Sequence, residues 1–135
     1  MEQQDYLKRQ IDQIGWLLGR MLTDLVRLKG EGKMGEGVET VNQAFSGELD
    51  LDIAELLNIP AESFVDTLIG EKNIGVENLD KLADVLLFIA DNAHDVDRRA
   101  LYGKCLIIYE YLEEAENVYS FDRRQKIEQI KNMLV

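Results

Sequence analysis

The amino-acid sequence predicts an all-α protein, and two observations support this prediction. Apolar residues recur at steps of three and four along most of the 135 residues, which is the period of a helix. No segment shows the strict alternation of apolar and polar residues that is typical of a half-buried strand. We expect a single domain over residues 1–135, as a bundle or short superhelix of about six to seven helices in antiparallel pairs.

The first helix, over about residues 3–29, is the segment around which the others are expected to pack. Its main apolar stripe has steps of four and three and consists of Leu7, Ile11, Ile14, Leu18, Met21, Leu25 and Leu28. A second apolar flank consists of Trp16, Leu17, Leu22 and Val26. The helix should therefore be covered on more than one side, by other helices or by a second copy of the chain. Gly30 is expected to end it in the left-handed conformation.

Six further helices are predicted, with ends set by caps and breaks. Asp50 and Asp52 favour the start of the third helix, Pro60 the start of the fourth, and Ser120 the start of the last. The ranges are 34–46, 51–57, 61–69, 76–93, 96–116 and 121–134. Gly30, Gly32 and Gly35 have the GxGxxG spacing, but they follow a helix and not a strand, so we interpret them as a turn and not as a dinucleotide site.

The charge is strongly acidic and unevenly distributed. The formal net charge is −11, of which residues 1–29 contribute +1, residues 30–99 contribute −11 and residues 100–135 contribute −1. An acidic surface repels nucleic acids and anionic lipids, so neither is an expected partner. No apolar run is long enough to span a membrane, and Met1–Asp5 lacks the features of a signal peptide, so we expect a cytoplasmic protein.

The residues that could support catalysis or metal binding are few. Cys105 lies on an apolar stripe and is expected in the core, and His94 is the only histidine. His94 belongs to a polar cluster between two predicted helices, together with Asp91, Asn92, Asp95 and Asp97. A divalent metal could bind there, but helix capping explains these residues better. We therefore predict no enzyme activity, no catalytic residues, no cofactor and no metal site.

Two surfaces are candidates for protein recognition. Glu110, Glu113, Glu114 and Glu116 form an acidic patch, beside which Tyr102, Tyr109 and Tyr111 could line a peptide-binding groove. The alternative is that these tyrosines pack helix against helix. Gly15 and Gly19 lie one turn apart on the first helix and allow the close approach of another helix. If the protein forms a homodimer, we expect the Gly15/Gly19 side or the C-terminal helix to form the contact.

Parts of the chain resemble known helical families. Residues 32–45 resemble the turn and second helix of a tetratricopeptide repeat, with Gly37, Val41 and Ala44 at small, large and small packing positions. Gly103, Ala115 and Tyr119 fall at similar spacing. The order of elements also resembles a family of short bacterial helical proteins of unknown function, in the stretches 5–7, 49–52 and 119–123. That resemblance implies a helical fold but no activity, cofactor or site residue.

Residues 61–90 are mildly similar to the later part of a helix-turn-helix repressor domain. The segment that would be the recognition helix offers Glu62 and Asp66 but no Lys or Arg, which DNA recognition requires. The sequence thus favours a protein–protein interaction or scaffold module that binds a protein or peptide by a helix face or groove. The alternatives are a helix-turn-helix-like transcriptional regulator and a small metal-binding or ligand-binding helical domain.

Overall fold

A computed structural model of the chain describes residues 2–116 and 119–135, with side chains from residue 5 onward. These residues form seven α-helices and no strand, which confirms the all-α prediction. The helices are α1 (Glu2–Gly30), α2 (Met34–Leu49), α3 (Ile53–Asn58), α4 (Phe64–Gly70), α5 (Leu79–Asn92), α6 (Arg98–Ala115) and α7 (Phe121–Leu134). Single 3-10 turns, Ala61–Ser63 and Val76–Asn78, lead into α4 and α5.

The predicted caps at the starts of α3 and α7 are present. The Asp52 carboxylate accepts a hydrogen bond from the backbone N–H of Glu55. The Glu55 carboxylate in turn accepts a hydrogen bond from the backbone N–H of Asp52, so α3 starts with a capping box. The Ser120 hydroxyl accepts the N–H of Arg123 at the start of α7. The expected polar start of α6 is formed by Asp97, whose carboxylate accepts the N–H of Ala100.

The prediction that Gly30 ends α1 in the left-handed conformation is wrong. Gly30 remains helical, and the left-handed residue is Gly32, with φ of +73°. The N–H of Gly32 donates to the carbonyl of Lys29, and the N–H of Lys33 donates to that of Leu28. These two hydrogen bonds pair the last carbonyl groups of the helix. They require the left-handed glycine to be Gly32, two residues later than the sequence predicts.

Three pairs of neighbouring helices are antiparallel, as contacts between their ends show. Gly37, at the start of α2, packs on Leu25 and Leu28 near the end of α1. In the α5–α6 pair, Tyr102 near the start of α6 bonds to Asp91 near the end of α5. In the α6–α7 pair, Arg99 bonds to the carbonyl of Leu134, and Glu116 lies beside Arg123.

Helix α1 also packs along α5, and these two helices run in the same direction. Ile11 and Gly15 of α1 meet the segment that leads into α5, and Lys29 at the other end lies over the ring of Phe88. The core lies between the two helices and their neighbours, where Leu18, Leu25, Phe45 and Leu86 are almost fully buried. The long helices α1 and α5 therefore join the α1–α2 pair to the rest of the domain.

The predicted apolar stripe of α1 is buried in its middle and exposed at its start. Ile14, Leu18, Met21 and Leu25 are buried, whereas Leu7 is 43% exposed because α1 begins before the segment that leads into α5. The second flank is divided, since Leu17 and Leu22 are half-buried against the core, whereas Trp16 is 65% exposed and Val26 is 53% exposed.

Gly15 of α1 lies directly against the segment that leads into α5. A Cβ atom on Gly15 would lie 2.5 Å from Oδ1 of Asn78. Asn78 is buried, and its amide group donates to the carbonyls of Ile11, at 2.7 Å, and Ile74, at 2.8 Å. Because both bonds hold the Asn78 side chain in place, it cannot move aside without leaving a buried amide unpaired.

Replacing Gly15 should therefore destabilise the fold, in contrast to replacing Gly19 one turn later. We expect Gly15→Ala to lower the free energy of unfolding by about 1–3 kcal/mol, through steric clash and loss of the Asn78 bonds. A Cβ on Gly19 would meet no other side chain within 4 Å in the described part of the chain. Gly19→Ala should therefore raise the free energy of unfolding by up to about 1 kcal/mol.

The measurement is urea unfolding followed by circular dichroism, with Gly19→Ala as the matched control in the same helix. Equal stability of the two variants would contradict the close contact between α1 and α5.

Candidate functional site

A shallow groove of about 390 Å³ runs between α4 and α6. Its floor contains the apolar side chains of Val65 and Ile107 and the ring of Tyr111, all of them half-buried. Four carboxylates stand along it. They are Glu62 and Asp66 on the α4 side and Glu110 and Glu114 on the α6 side. The groove thus combines an apolar floor with two acidic walls.

The spacing along each helix explains why the carboxylates form walls. Glu62 and Asp66 are four residues apart, as are Glu110 and Glu114, so each pair lies on one face of its helical segment. All four residues are exposed. The only cation within salt-bridge distance of these four, in the described residues, is Lys131, whose Nζ lies 3.7 Å from Glu110. The walls therefore keep most of their negative charge.

Lys104 joins α6 to the segment before α4. It is only 8% exposed, its ammonium group donates to the carbonyl of Ile59, and its Nζ lies 4.7 Å from the centre of the Phe64 ring. Desolvation lowers the pKa of Lys104, and the nearby charge of Glu62 opposes that shift. The groove wall thus also helps to keep a buried ammonium group charged.

The three tyrosines proposed for a groove do not share one surface. Tyr102 and Tyr109 are buried between α5 and α6, where their hydroxyls donate to Asp91 and Asp84. These two tyrosines pack helix against helix, which was the alternative interpretation of the sequence. Tyr111 alone lines the groove.

The buried tyrosine hydroxyls are held in the protonated form. Desolvation, together with the hydrogen bond to Asp91, raises the pKa of Tyr102 to about 12. Desolvation and the charge of Asp84 raise the pKa of Tyr109 as well. Asp84 also binds Lys126 of α7, at 2.9 Å. This network joins α5, α6 and α7.

The two glycines proposed as a contact surface lie in different environments. Gly15 is buried against Asn78, so this position of α1 is already covered by the same chain. Gly19 is exposed, and both glycines line a second, open groove of about 470 Å³ together with Trp16, Arg20, Thr23 and Lys81. Both glycines of the proposed Gly15/Gly19 side thus border the groove, but only Gly19 is exposed.

Three of the five residues in the polar cluster between α5 and α6 make structural contacts. Asp91 accepts the hydroxyl of Tyr102, Asn92 donates to the carbonyl of Phe88, and Asp97 caps α6. Asp95 adopts a left-handed conformation, with φ of 56°, and His94 is exposed. Within the described residues, no group of three or more His, Cys, Asp or Glu side chains is arranged to hold a metal ion.

Cys105 lies in the core, as its position on the apolar stripe of α6 predicts. It is fully buried, and its thiol donates to the carbonyl of Ala83 at 3.5 Å. Desolvation raises the pKa of Cys105, which keeps the sulfur as an unreactive thiol.

The helix that resembles a recognition helix presents acidic residues. Helix α4 contains no Lys or Arg, and Glu62 and Asp66 face the groove that α4 forms with α6. DNA phosphates would be repelled from this surface.

Comparisons with protein-family models, with curated protein sequences and with solved structures find no match for this chain. Among the described helices, none has both the length and the apolar character needed to cross a membrane.

Sequence reasoning identifies one wall of the groove and misses the other. The sequence indicates Glu110, Glu114 and Tyr111 as part of an acidic and aromatic patch on one helix. Glu62 and Asp66 form the opposite wall, but in the sequence they stand out only as residues unsuited to DNA. The one available signal is the repeated four-residue spacing of acids on two amphipathic segments, which does not reveal that the two segments pack together.

The raised pKa of Tyr102 predicts a loss of stability at alkaline pH. The unfolded chain releases this proton near pH 10, whereas the folded protein keeps it to about pH 12. The stabilising contribution is thus fully present below pH 10, and it is lost as the pH rises to about 12. Urea unfolding at several pH values in this window should show a smaller loss of stability in Tyr102→Phe than in the wild type.

Tyr6→Phe, at an exposed position of α1, is the control for the loss of one tyrosine. The same pH dependence in Tyr102→Phe and the wild type would contradict the assignment of this loss of stability to Tyr102.

Proposed function

We propose that this protein is a cytoplasmic interaction module, not an enzyme, and that the groove between α4 and α6 binds a basic amphipathic segment of a partner protein. The segment lays its apolar side chains on Val65, Ile107 and Tyr111. Its Lys and Arg side chains reach the carboxylates on both walls. This is helix-in-groove recognition with charge complementarity.

The observation that supports this proposal is the combination of an apolar floor with acidic walls on both sides. An apolar floor alone would be compatible with many ligands, and an acidic patch alone would be explained as a solvated surface. Together they favour a ligand that is apolar along one line and positively charged on both sides of it, which describes a basic amphipathic helix. The charge supplies association rate and specificity, and the apolar contact supplies affinity.

We also propose that the chain belongs to the family of short bacterial helical proteins that it resembles. The packing of Gly37 against Leu25 and Leu28 is compatible with a tetratricopeptide-like helix pair, in which a small residue allows close approach. Neither resemblance implies a cofactor or a catalytic residue.

Affinity capture with matched baits tests the groove. The groove variant is Glu110→Lys/Glu114→Lys on α6, and the control is Glu36→Lys/Glu39→Lys on the exposed side of α2. Both change the net charge by the same amount. From lysate of the organism that encodes the protein, we expect at least one protein to be retained by the wild type and the control and lost from the groove variant.

That protein should also be released by moderate salt, because exposed charge pairs are screened. Binding of the recovered segment, made as a synthetic peptide, should be about tenfold weaker or more for the groove variant. Recovery of the same proteins by the wild type and the groove variant, or of the bait alone, would refute the proposal. Equal losses in both variants would mean that net charge, and not the groove, determines binding.

A further inference from the structure

The outward face of α1 has a regular charge pattern centred on Trp16. The residues on this face recur at steps of four and three, opposite the buried stripe, and all are exposed. They are Asp5, Arg9, Asp12, Trp16, Arg20, Thr23 and Arg27. No other helix of the described chain covers Trp16, which is 65% exposed and has the Arg20 guanidinium 5.4 Å from its ring centre.

Four of the five charges on this face are placed symmetrically about Trp16, with opposite sign on its two sides. Two acids, Asp5 and Asp12, lie eleven and four residues before it, and two bases, Arg20 and Arg27, lie four and eleven residues after it. The fifth charge, Arg9, is matched by the uncharged Thr23, and Arg27 also pairs with Glu31 of its own chain at 3.1 Å. If two copies of α1 lie antiparallel with a two-fold axis at Trp16, the two acids of one helix face Arg20 and Arg27 of the other, and Arg9 faces Thr23. Each pairing then occurs twice, as a two-fold contact requires.

We infer that this face binds a second copy of the chain, so that two α1 helices pair antiparallel about Trp16. The occupant is a second copy because the face is complementary in charge to itself in the antiparallel direction. A parallel pair would place Asp12 on Asp12 and Arg20 on Arg20, which is repulsive. The contact extends over residues 5–27, about 33 Å of helix.

The space around Trp16 fits this arrangement. Open grooves of about 470 Å³ and 400 Å³ flank the indole, one lined by Gly19 and the other by Leu17 and Glu48. Gly19 has no side chain, so the indole of the second copy can lie beside Trp16 without steric conflict. The contact would bury an aromatic ring that is exposed in the monomer. Because the seam is otherwise polar, we expect a dissociation constant on the order of micromolar.

The test uses charge reversal in sedimentation experiments. In a dimer of Asp12→Arg, each substituted side chain faces Arg20 of the other copy, and in a dimer of Arg20→Asp each one faces Asp12. Each variant alone should associate about tenfold more weakly than the wild type, since two pairs become repulsive in every dimer. A mixture of the two variants should form heterodimers more tightly than either variant associates with itself, because one of the two contacts then joins the introduced arginine to the introduced aspartate.

Two controls accompany these variants. Glu39→Arg makes the same charge change as Asp12→Arg on a different helix and should associate like the wild type. Trp16→Ala removes the central ring and should weaken association about tenfold or more. Circular dichroism should report wild-type helix content in every variant, since all the substituted side chains are exposed.

Several outcomes would overturn the inference. One is that the wild type is still monomeric at about 1 mM, well above the expected dissociation constant. Another is that Asp12→Arg still forms dimers, as a parallel pair or a contact elsewhere on the protein would predict. Failure of the mixture to associate, or loss of association in Glu39→Arg, would also overturn it. The groove between α4 and α6 is unchanged in all these variants, so the result is independent of partner binding there.

Discussion

The packing of α1 against α5 depends on one polar side chain in an apolar setting. Asn78 bonds to the backbone of both Ile11 and Ile74, and it fits only because Gly15 has no side chain. A buried amide with both donor bonds made fixes one register between the two helices, whereas apolar side chains alone would accept several. The core residues on either side then pack in a single arrangement.

The distribution of charge in this protein differs between helix contacts and uncovered surfaces. Several charges that join helices form ion pairs, as in the contact of Arg123 with Asp80 at 2.8 Å. The excess acid is left on surfaces that no helix covers, including the walls of the α4–α6 groove. The outward face of α1 has acids and bases in nearly equal number. A chain with a net charge of −11 thus offers two surfaces of different character.

Local features of the structure were predictable from sequence, and contacts between distant segments were not. The caps at Asp52 and Ser120 depend on residues three positions away, so their sequence signals are complete. The bond between Asn78 and Ile11 spans 67 residues, and nothing near either residue indicates the other. The groove was half-predicted for the same reason, because its α4 wall is set by tertiary packing. The exposure of Trp16 follows from which side of α1 meets α5, which periodicity alone does not determine.

The parallel packing of α1 on α5 has a consequence for how the chain can misassemble. Helices α1 and α2 form a hairpin from nearby residues, and α5, α6 and α7 form another local unit. The seam between them is the main long-range closure, so its opening releases a whole hairpin while both units keep their own internal contacts. A released hairpin can close on the α5 of another molecule with the same contacts, which is domain swapping. The Gly15–Asn78 contact therefore controls how often the hairpin is released, and the segment between α2 and α5 determines whether it closes on its own chain or on a neighbour.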